Sequence, residues 1–218
     1  MLTAPLAERT VSGLHDSLIR HLGGVNKVSP VLDVGCGTGA WLERLSRAGF
    51  SSLHGIDLNA GQFGAAAATC TEGDLDRDEI ALPEKKYGLI SAIELVEHLE
   101  NPGRLFNLVS ESLADDGYFL LTTPNIHSLQ CRLKFFLTGD LASFDAKGDP
   151  THIYPVLLTS LRRVLPRYSL EIVKRWGYPE RGSLIYRAPL RIISTGLGLF
   201  LPNSTPGDTL CLLLRKKS

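Results

Sequence analysis

The stretch ISAIELVEHLEN, residues 90–101, places Glu94, Glu97 and His98 at i, i+3 and i+4 directly after an apolar run. On a helix three side chains so spaced leave from nearly the same face. Two carboxylates beside an imidazole can hold a divalent cation, move a proton near neutrality, or stand as solvated surface charge. The choice depends on what else the chain brings to that point.

The sharpest pattern lies upstream. VLDVGCGTG, residues 31–39, sets Gly35, Gly37 and Gly39 between a short apolar run and a helical stretch, with Asp33 two residues before the first glycine. Glycines at a strand-to-helix turn let backbone approach a ligand where a Cβ would intrude. The nicotinamide fingerprint GxGxxG is not met, because the third glycine comes one residue early. Asp57 closes the next strand-like run, SLHGID, where a carboxylate can accept from ribose hydroxyls. Asp74 follows a third such run near residues 69–73.

The elements that must carry these residues can be read from periodicity. Residues 6–22 put Val11, Leu14, Leu18 and Leu22 on one helical stripe. Thr38 to Ala48 is helical, with Trp41, Leu42 and Leu45 inward and Gly49 as the stop. Ala-rich residues 60–68 form at most a short helix. YGLISAI (87–93) is a continuous apolar strand of the kind covered on both faces. Asn101-Pro102 caps a helix carrying Leu105, Leu108, Val109 and Leu113. Asp116-Gly117 turns the chain into the strand YFLLTT. Past Pro124 the alternation falters, and residues 125–150, with Gly139, Gly148 and Pro150, read as a loop or lid. A helix near 156–165, a strand near 169–176, an amphipathic helix over 189–200 with Arg187 ahead of it, and a final strand DTLCLLLRK follow. Strands alternating with helices over 30–123 imply a doubly wound α/β sheet.

The spacing D-x-G-x-G-x-G, with Asp57 and Asp74 in order behind it, resembles the class I S-adenosylmethionine-dependent methyltransferases over about residues 28–125. The resemblance implies a Rossmann-like, mostly parallel seven-stranded sheet with helices on both faces, an antiparallel last strand (DTLCLLLRK) and a lid insertion after the fifth strand. It implies one domain over 1–218: a helical cap (1–29), a cofactor-binding core (30–124), then lid, substrate cap and closing strands (125–218). It also implies S-adenosyl-L-methionine as cofactor. Gly35, Cys36, Gly37 and Gly39 would lie against the methionyl part, Asp33 would steer its ammonium, Asp57 with Leu58 would hold the ribose, and Asp74 with Leu75 the adenine.

ELVEH itself resembles the E-x-x-E-H element of two methyltransferase groups, the small-RNA 2′-O-methyltransferases and the ubiquinone-pathway O-methyltransferases. In both, the glutamates and histidine can hold a divalent cation, and the RNA group adds a further histidine. His152 in DPTHIYP is the candidate here, and His127 in TPNIHS another. Three readings stay open: a Mg, Mn or Zn site from Glu94, Glu97, His98 and His152; a metal-free pocket in which His152 or His98 acts as general base; and a structural role at a helix start. Under either chemical reading Glu94, His98 and His152 are the candidate catalytic residues.

For the acceptor, Thr123 and Asn125 could line a pocket, and Phe135, Phe136 and Phe144 with Arg132 and Lys134 could form a lid with an aromatic wall. Net charge is zero, yet residues 1–150 hold 12 Lys+Arg against 20 Asp+Glu, and residues 151–218 hold 11 against 3. The basic final third suits an anionic small molecule, a glycan or lipid-linked acceptor, or peripheral contact with a membrane. Nucleic acid is disfavoured, since the chain is neutral overall and has no basic–aromatic module. No run is long and apolar enough to span a bilayer. Four scattered cysteines without a CxxC pair, and no leader pattern at the start, point to a reducing, cytoplasmic setting. Alternatives to an O-methyltransferase are a non-catalytic cofactor-binding adaptor and an RNA 2′-O-methyltransferase. The residues do not determine the acceptor, the methylated atom or the oligomeric state.

Overall fold

The computed structural model describes residues 6–180 and 204–217. Seven strands form one sheet: β1 (Val31–Val34), β2 (Leu53–Asp57), β3 (Thr69–Glu72), β4 (Tyr87–Ile93), β5 (Leu113–Pro124), β6 (Leu170–Tyr178) and β7 (Thr209–Lys216). Their spatial order is β3-β2-β1-β4-β5-β7-β6, with β7 antiparallel to both of its neighbours and the other pairings parallel. The doubly wound sheet and the antiparallel closing strand expected from the sequence are both present.

Alternation along each strand sends side chains into two cores. Val31, Leu53, Leu89, Leu120, Cys211 and Leu213 pack with Leu14 and Leu18 of α1 (Leu14–Ile19) and with Trp41, Leu42 and Leu45 of α2 (Ala40–Arg47). Leu32, Val34, Ile90, Phe119, Leu121 and Leu212 face the other way. They meet Leu105, Phe106 and Val109 of α3 (Pro102–Ser112) and Leu158 and Leu161 of α5 (Leu158–Val164). Because both faces of β1 and β4 are covered, their sequences read as apolar runs rather than alternating ones.

Local signals set the ends. Gly39 enters α2 with φ 82°, and the Asn101 side chain accepts from Gly103 N–H at 3.1 Å with Pro102 in the first turn of α3. The first helix is shorter than the stripe over 6–22 predicts: Gly13, at φ 78°, precedes it, and residues 7–12 run outside any helix. Leu113 belongs to β5 and pairs with Tyr87 instead of extending α3, so the strand begins before the Asp116-Gly117 turn. Residues 125–150 are less irregular than their glycines suggest. They contain α4 (Leu129–Thr138), capped by Ser128 accepting from Cys131 N–H at 3.2 Å and stopped by Gly139 at φ 78°. The breakers Gly139, Gly148 and Pro150 all follow that helix. The amphipathic helix expected over 189–200 lies outside the described residues. Among the described residues no helix is long and apolar enough to cross a membrane.

The order of strands matters more than their number. From β1 the chain proceeds outward to β2 and β3, then returns to lay β4 on the other side of β1. Such a switch point opens a crevice beyond the carboxyl ends of the two strands, where ligands bind in this class of sheet. The glycine turn leaves β1 there, and Glu94 leaves β4 there.

Leu212, fully buried on β7, tests the closing strand. Leu212→Ala is expected to cost about 2–5 kcal/mol in urea unfolding; a loss below about 1 kcal/mol would show that β7 is not packed as described.

Candidate active site

A cavity of about 650 Å³ sits at this switch point, lined among others by Asp33, Gly35, Cys36, Gly37, Asp57, Glu94, His98 and His152. Residues 7–11 and His15 close it from the N-terminal side.

The three glycines do different work. All have left-handed backbone, with φ 75°, 53° and 82° at Gly35, Gly37 and Gly39. A Cβ on Gly35 would stand 2.8 Å from Leu95 Cδ1, and one on Gly39 would stand 2.6 Å from Phe63 Cε2, so these two are held by packing. A Cβ on Gly37 would meet nothing within 4 Å, and this residue turns its bare backbone to the cavity.

Asp33 is 3% exposed, and its Oδ1 accepts from Ser91 Oγ–H at 2.6 Å. Ser91 Oγ in turn accepts from Trp41 Nε1–H at 3.0 Å. Burial, reinforced by the nearby charge of Asp57 and partly offset by the Ser91 bond, pushes the Asp33 carboxyl up to about 7. Asp57 Oδ2 accepts from Gly37 N–H at 2.7 Å, and Oδ1 from Asn59 N–H at 3.0 Å and Gln62 Nε2 at 3.3 Å. The carboxylate thus ties β2 to the glycine turn and also lines the cavity. Cys36 lines it too, its sulfur 3.5 Å from that of Cys70.

The adenine pair expected from the sequence is not brought to this cavity. Asp74 Oδ1 accepts from Asp76 N–H at 2.9 Å, and Oδ2 faces Arg77 Nε at 3.4 Å, so its oxygens serve their own loop. Leu75 packs against the core on the α3 side, and Leu58 is 69% exposed. None of the three lines the cavity among the described residues.

ELVEH departs from the helical geometry its spacing suggests. Only Val96–His98 form a single 3-10 turn, and Glu94 precedes it with φ 50°. Glu94 N–H donates to Thr122 Oγ1, whose hydroxyl donates back to Glu94 Oε1, both at 3.0 Å. That reciprocal pair fixes Glu94 at the cavity wall, with burial raising its carboxyl pKa. Glu97 is completely buried, and neither of its carboxyl oxygens has a hydrogen-bond partner. Burial, then the neighbouring charge of Glu94, pushes its pKa strongly upward. A buried carboxylate without a partner costs several kcal/mol unless it is protonated or meets a cation.

Tertiary structure supplies the imidazole. Ile153 and Tyr154 N–H donate to the Glu97 carbonyl at 2.8 and 2.9 Å, clamping the 149–154 loop to the 3-10 turn. His152 thereby stands against His98, ring centres 4.7 Å apart and planes inclined at 66°. Ligand atoms of Glu97, His98 and His152 all lie within 4.8 Å of one another, and Glu94 is not part of that group. One carboxylate and two imidazoles form a donor set suited to a divalent transition metal. His98 is held below its ordinary pKa, by burial first and by His152 second.

Other expected contributors serve the frame. His127 is buried, its Nε2 standing 3.1 Å from the Val156 carbonyl oxygen and 3.2 Å from Leu158 N at the start of α5. Asn125 donates to the carbonyls of Thr205 and Gly207, both at 2.9 Å, and Thr123 is fully buried under the sheet edge. Lys134 pairs with Asp145 at 2.5 Å, while Phe136 is 84% exposed on α4 and away from the cavity. What sequence reasoning missed is Ser91, the 7–11 segment, His15, Asp149 and Thr151. The D-P-T-H string could have hinted at the last two, since Asp and Thr commonly form local side-chain turns.

The Asp33 shift has a checkable sign. Its folded pKa of about 7 lies above the ordinary carboxyl value of 3.8, so its contribution to stability is full below about pH 4 and is lost as pH rises to about 7. Asp33→Asn mimics the neutral carboxyl. It is expected to gain stability over the wild type progressively across that window, by up to about 4 kcal/mol in unfolding titrations. A difference that does not vary with pH would contradict the assignment.

A family of methyltransferase domains matches residues 8–175. A ubiquinone biosynthesis O-methyltransferase of Hydrogenovibrio crunogenus is 26% identical over 144 residues, covering 61% of this chain and 59% of that protein. The mitochondrial ubiquinone biosynthesis O-methyltransferase of Candida albicans is 31% identical over 105 residues, 44% of this chain and 32% of that protein. The chain therefore spans less than two thirds of the length of these relatives. The crystal structure of a SAM-dependent methyltransferase from Archaeoglobus fulgidus shares the fold with a TM-score of 0.65, at 24% identity and 93% coverage of both chains. With the match running from residue 8, ahead of α1, into β6 and through every strand that lines the cavity, the chain belongs to the methyltransferase domain family.

Proposed function

We propose that the protein transfers the methyl group of S-adenosylmethionine to a hydroxyl of a small molecule, with a divalent cation held by Glu97, His98 and His152. The observation that carries this reading is the convergence, on one cavity, of the open Gly37 backbone, the Asp33 and Asp57 carboxyls, and the imidazoles of His98 and His152, with an unpartnered Glu97 buried beside them. The relatives named as O-methyltransferases of ubiquinone biosynthesis support a hydroxyl as acceptor. An anionic or lipid-linked acceptor is the finer form of the proposal, motivated by the basic final third of the chain.

The cofactor supplies an electrophilic methyl on a sulfonium, and the cation a Lewis-acid contact for the acceptor oxygen. The chain's residues then align and deprotonate. Gly37 leaves room for the amino-acid end to lie against backbone. Asp33 would face its ammonium, and Asp57 would accept from the ribose. Transfer would form a C–O bond as the C–S bond breaks, and Glu94, whose basicity burial has raised, would take the hydroxyl proton. Most of the rate then comes from in-line placement and removal of that proton.

Calorimetry with S-adenosylhomocysteine tests the cofactor half. Asp57→Ala is expected to weaken binding about 10- to 100-fold, the worth of charge-assisted hydrogen bonds; an unchanged dissociation constant would refute the site. Binding by the wild type should tighten as pH rises through about 7, where Asp33 ionises, and this dependence should vanish in Asp33→Asn.

The metal half is tested separately. Chelation followed by add-back of Mg²⁺, Mn²⁺ or Zn²⁺ is expected to abolish and restore transfer from labelled cofactor. Activity that survives chelation, with Glu97→Gln unaffected, would leave the proton-handling pocket without a cation.

A further inference from the structure

The loop that carries His152 also governs the chemistry of His98. Thr151 Oγ1 lies 2.8 Å from His98 Nδ1 and 2.6 Å from Asp149 Oδ1. The same Asp149 oxygen accepts from Thr151 N–H at 2.9 Å, which holds the aspartate and threonine in one tight turn. Asp149 is exposed, and an ionised carboxylate can only accept. The threonine hydroxyl has one proton to give. Given to Asp149, it leaves the oxygen as an acceptor toward the ring, so His98 Nδ1 must carry the hydrogen. A neutral imidazole has one N–H, and Nε2 is then a bare lone pair. This opposes the intrinsic preference of a free histidine side chain, for which the Nε2–H form predominates.

His152 reaches the same state by another route. Its Nδ1 stands 2.8 Å from the Ser143 carbonyl oxygen, which cannot donate, so its Nε2 is also bare. The two Ile153 and Tyr154 bonds to the Glu97 carbonyl fasten the loop to the turn that bears His98. The loop cannot drift from the ring it orients without breaking them.

We propose that Asp149 and Thr151 form a hydrogen-bond relay that locks His98 in its Nδ1–H tautomer, making both positioning residues that keep Nε2 open to a cation or acceptor. The proposal rests on the reading above only in what Nε2 is used for. The tautomer itself is a property of the protein without ligand. Histidines that bind metals commonly donate their second nitrogen to a carboxylate or carbonyl, and losing that partner lowers metal affinity about 10- to 100-fold.

Long-range ¹H–¹⁵N NMR on the full chain, free of cofactor and metal, reads the tautomer directly, with His98→Gln assigning the resonances. The wild type is expected to show a pyrrole-type Nδ1 and a pyridine-type Nε2 at His98. Thr151→Val, which removes the acceptor, and Asp149→Ala, which frees the hydroxyl to donate to the ring, should both move His98 toward the Nε2–H form. Thr151→Ser should keep the wild-type pattern. An Nε2–H ring in the wild type, or a Thr151→Val spectrum identical to it, would overturn the relay. Titration with Mn²⁺ adds a second readout, with Thr151→Val weakened roughly tenfold or more and Thr151→Ser close to wild type. Absence of Mn²⁺ binding in the wild type, with the tautomer shifts intact, would sink the metal reading and leave the relay standing.

Discussion

The pairing of β1 with β4 is the constraint from which the site follows. Its register sets Asp33 opposite Ser91, so the most deeply buried acid of the glycine strand finds its hydroxyl partner on the neighbouring strand. Trp41 of α2 completes that chain from the helix packed above. The same pairing makes β1 and β4 the two strands between which the chain reverses direction across the sheet. A one-residue slip of β1 against β4 would turn Asp33 to the face opposite Ser91 and bring Leu32 round in its place. The apolar cores on the two faces therefore hold the polar contact in place.

Around that pairing the protein assembles more negative charge than it satisfies internally. Asp33, Asp57, Glu94 and Asp149 line the cavity, and Glu97 lies buried beside it. Three of these carboxyls are pushed up by burial, which means that the folded chain meets ionisation with reluctance. Such an arrangement costs stability, and it persists where a ligand returns the energy. A cofactor carrying a sulfonium and an ammonium, together with a divalent cation, has the charge that would do so. The raised pKa values and the proposed chemistry are thus two views of one electrostatic deficit.

The fold was legible because its signals are local and repeated. Continuous apolar runs gave β1 and β4, Gly39 and Asn101-Pro102 gave the helix starts, and the strand–helix alternation gave the doubly wound sheet. Errors arose where a local signal was outweighed by packing. Leu113 continues a helical stripe yet pairs with Tyr87 as strand, and α4 forms in a stretch whose breakers all come after it. The ELVEH spacing suggested a helix face, but Glu94 is drawn out of helical backbone by its reciprocal bonds with Thr122. Asp74 follows β3, and its carboxylate turns into its own loop.

The sequence alone determined the glycine turn, the acids on either side of it, and the strand on which each would ride, because a left-handed turn after a buried strand demands those residue types in that order. It could not determine which of several histidines would meet Glu97. His127 and His152 are equivalent as letters, one lying 30 and the other 55 residues beyond it. Only the tertiary structure separates them: His127 is consumed in capping α5, while two backbone bonds to the Glu97 carbonyl fold the 149–154 loop back and deliver His152. Bonds between backbone groups leave no trace in side-chain identity, and for that reason the loop's docking, and with it the make-up of the site, is decided by the folded chain.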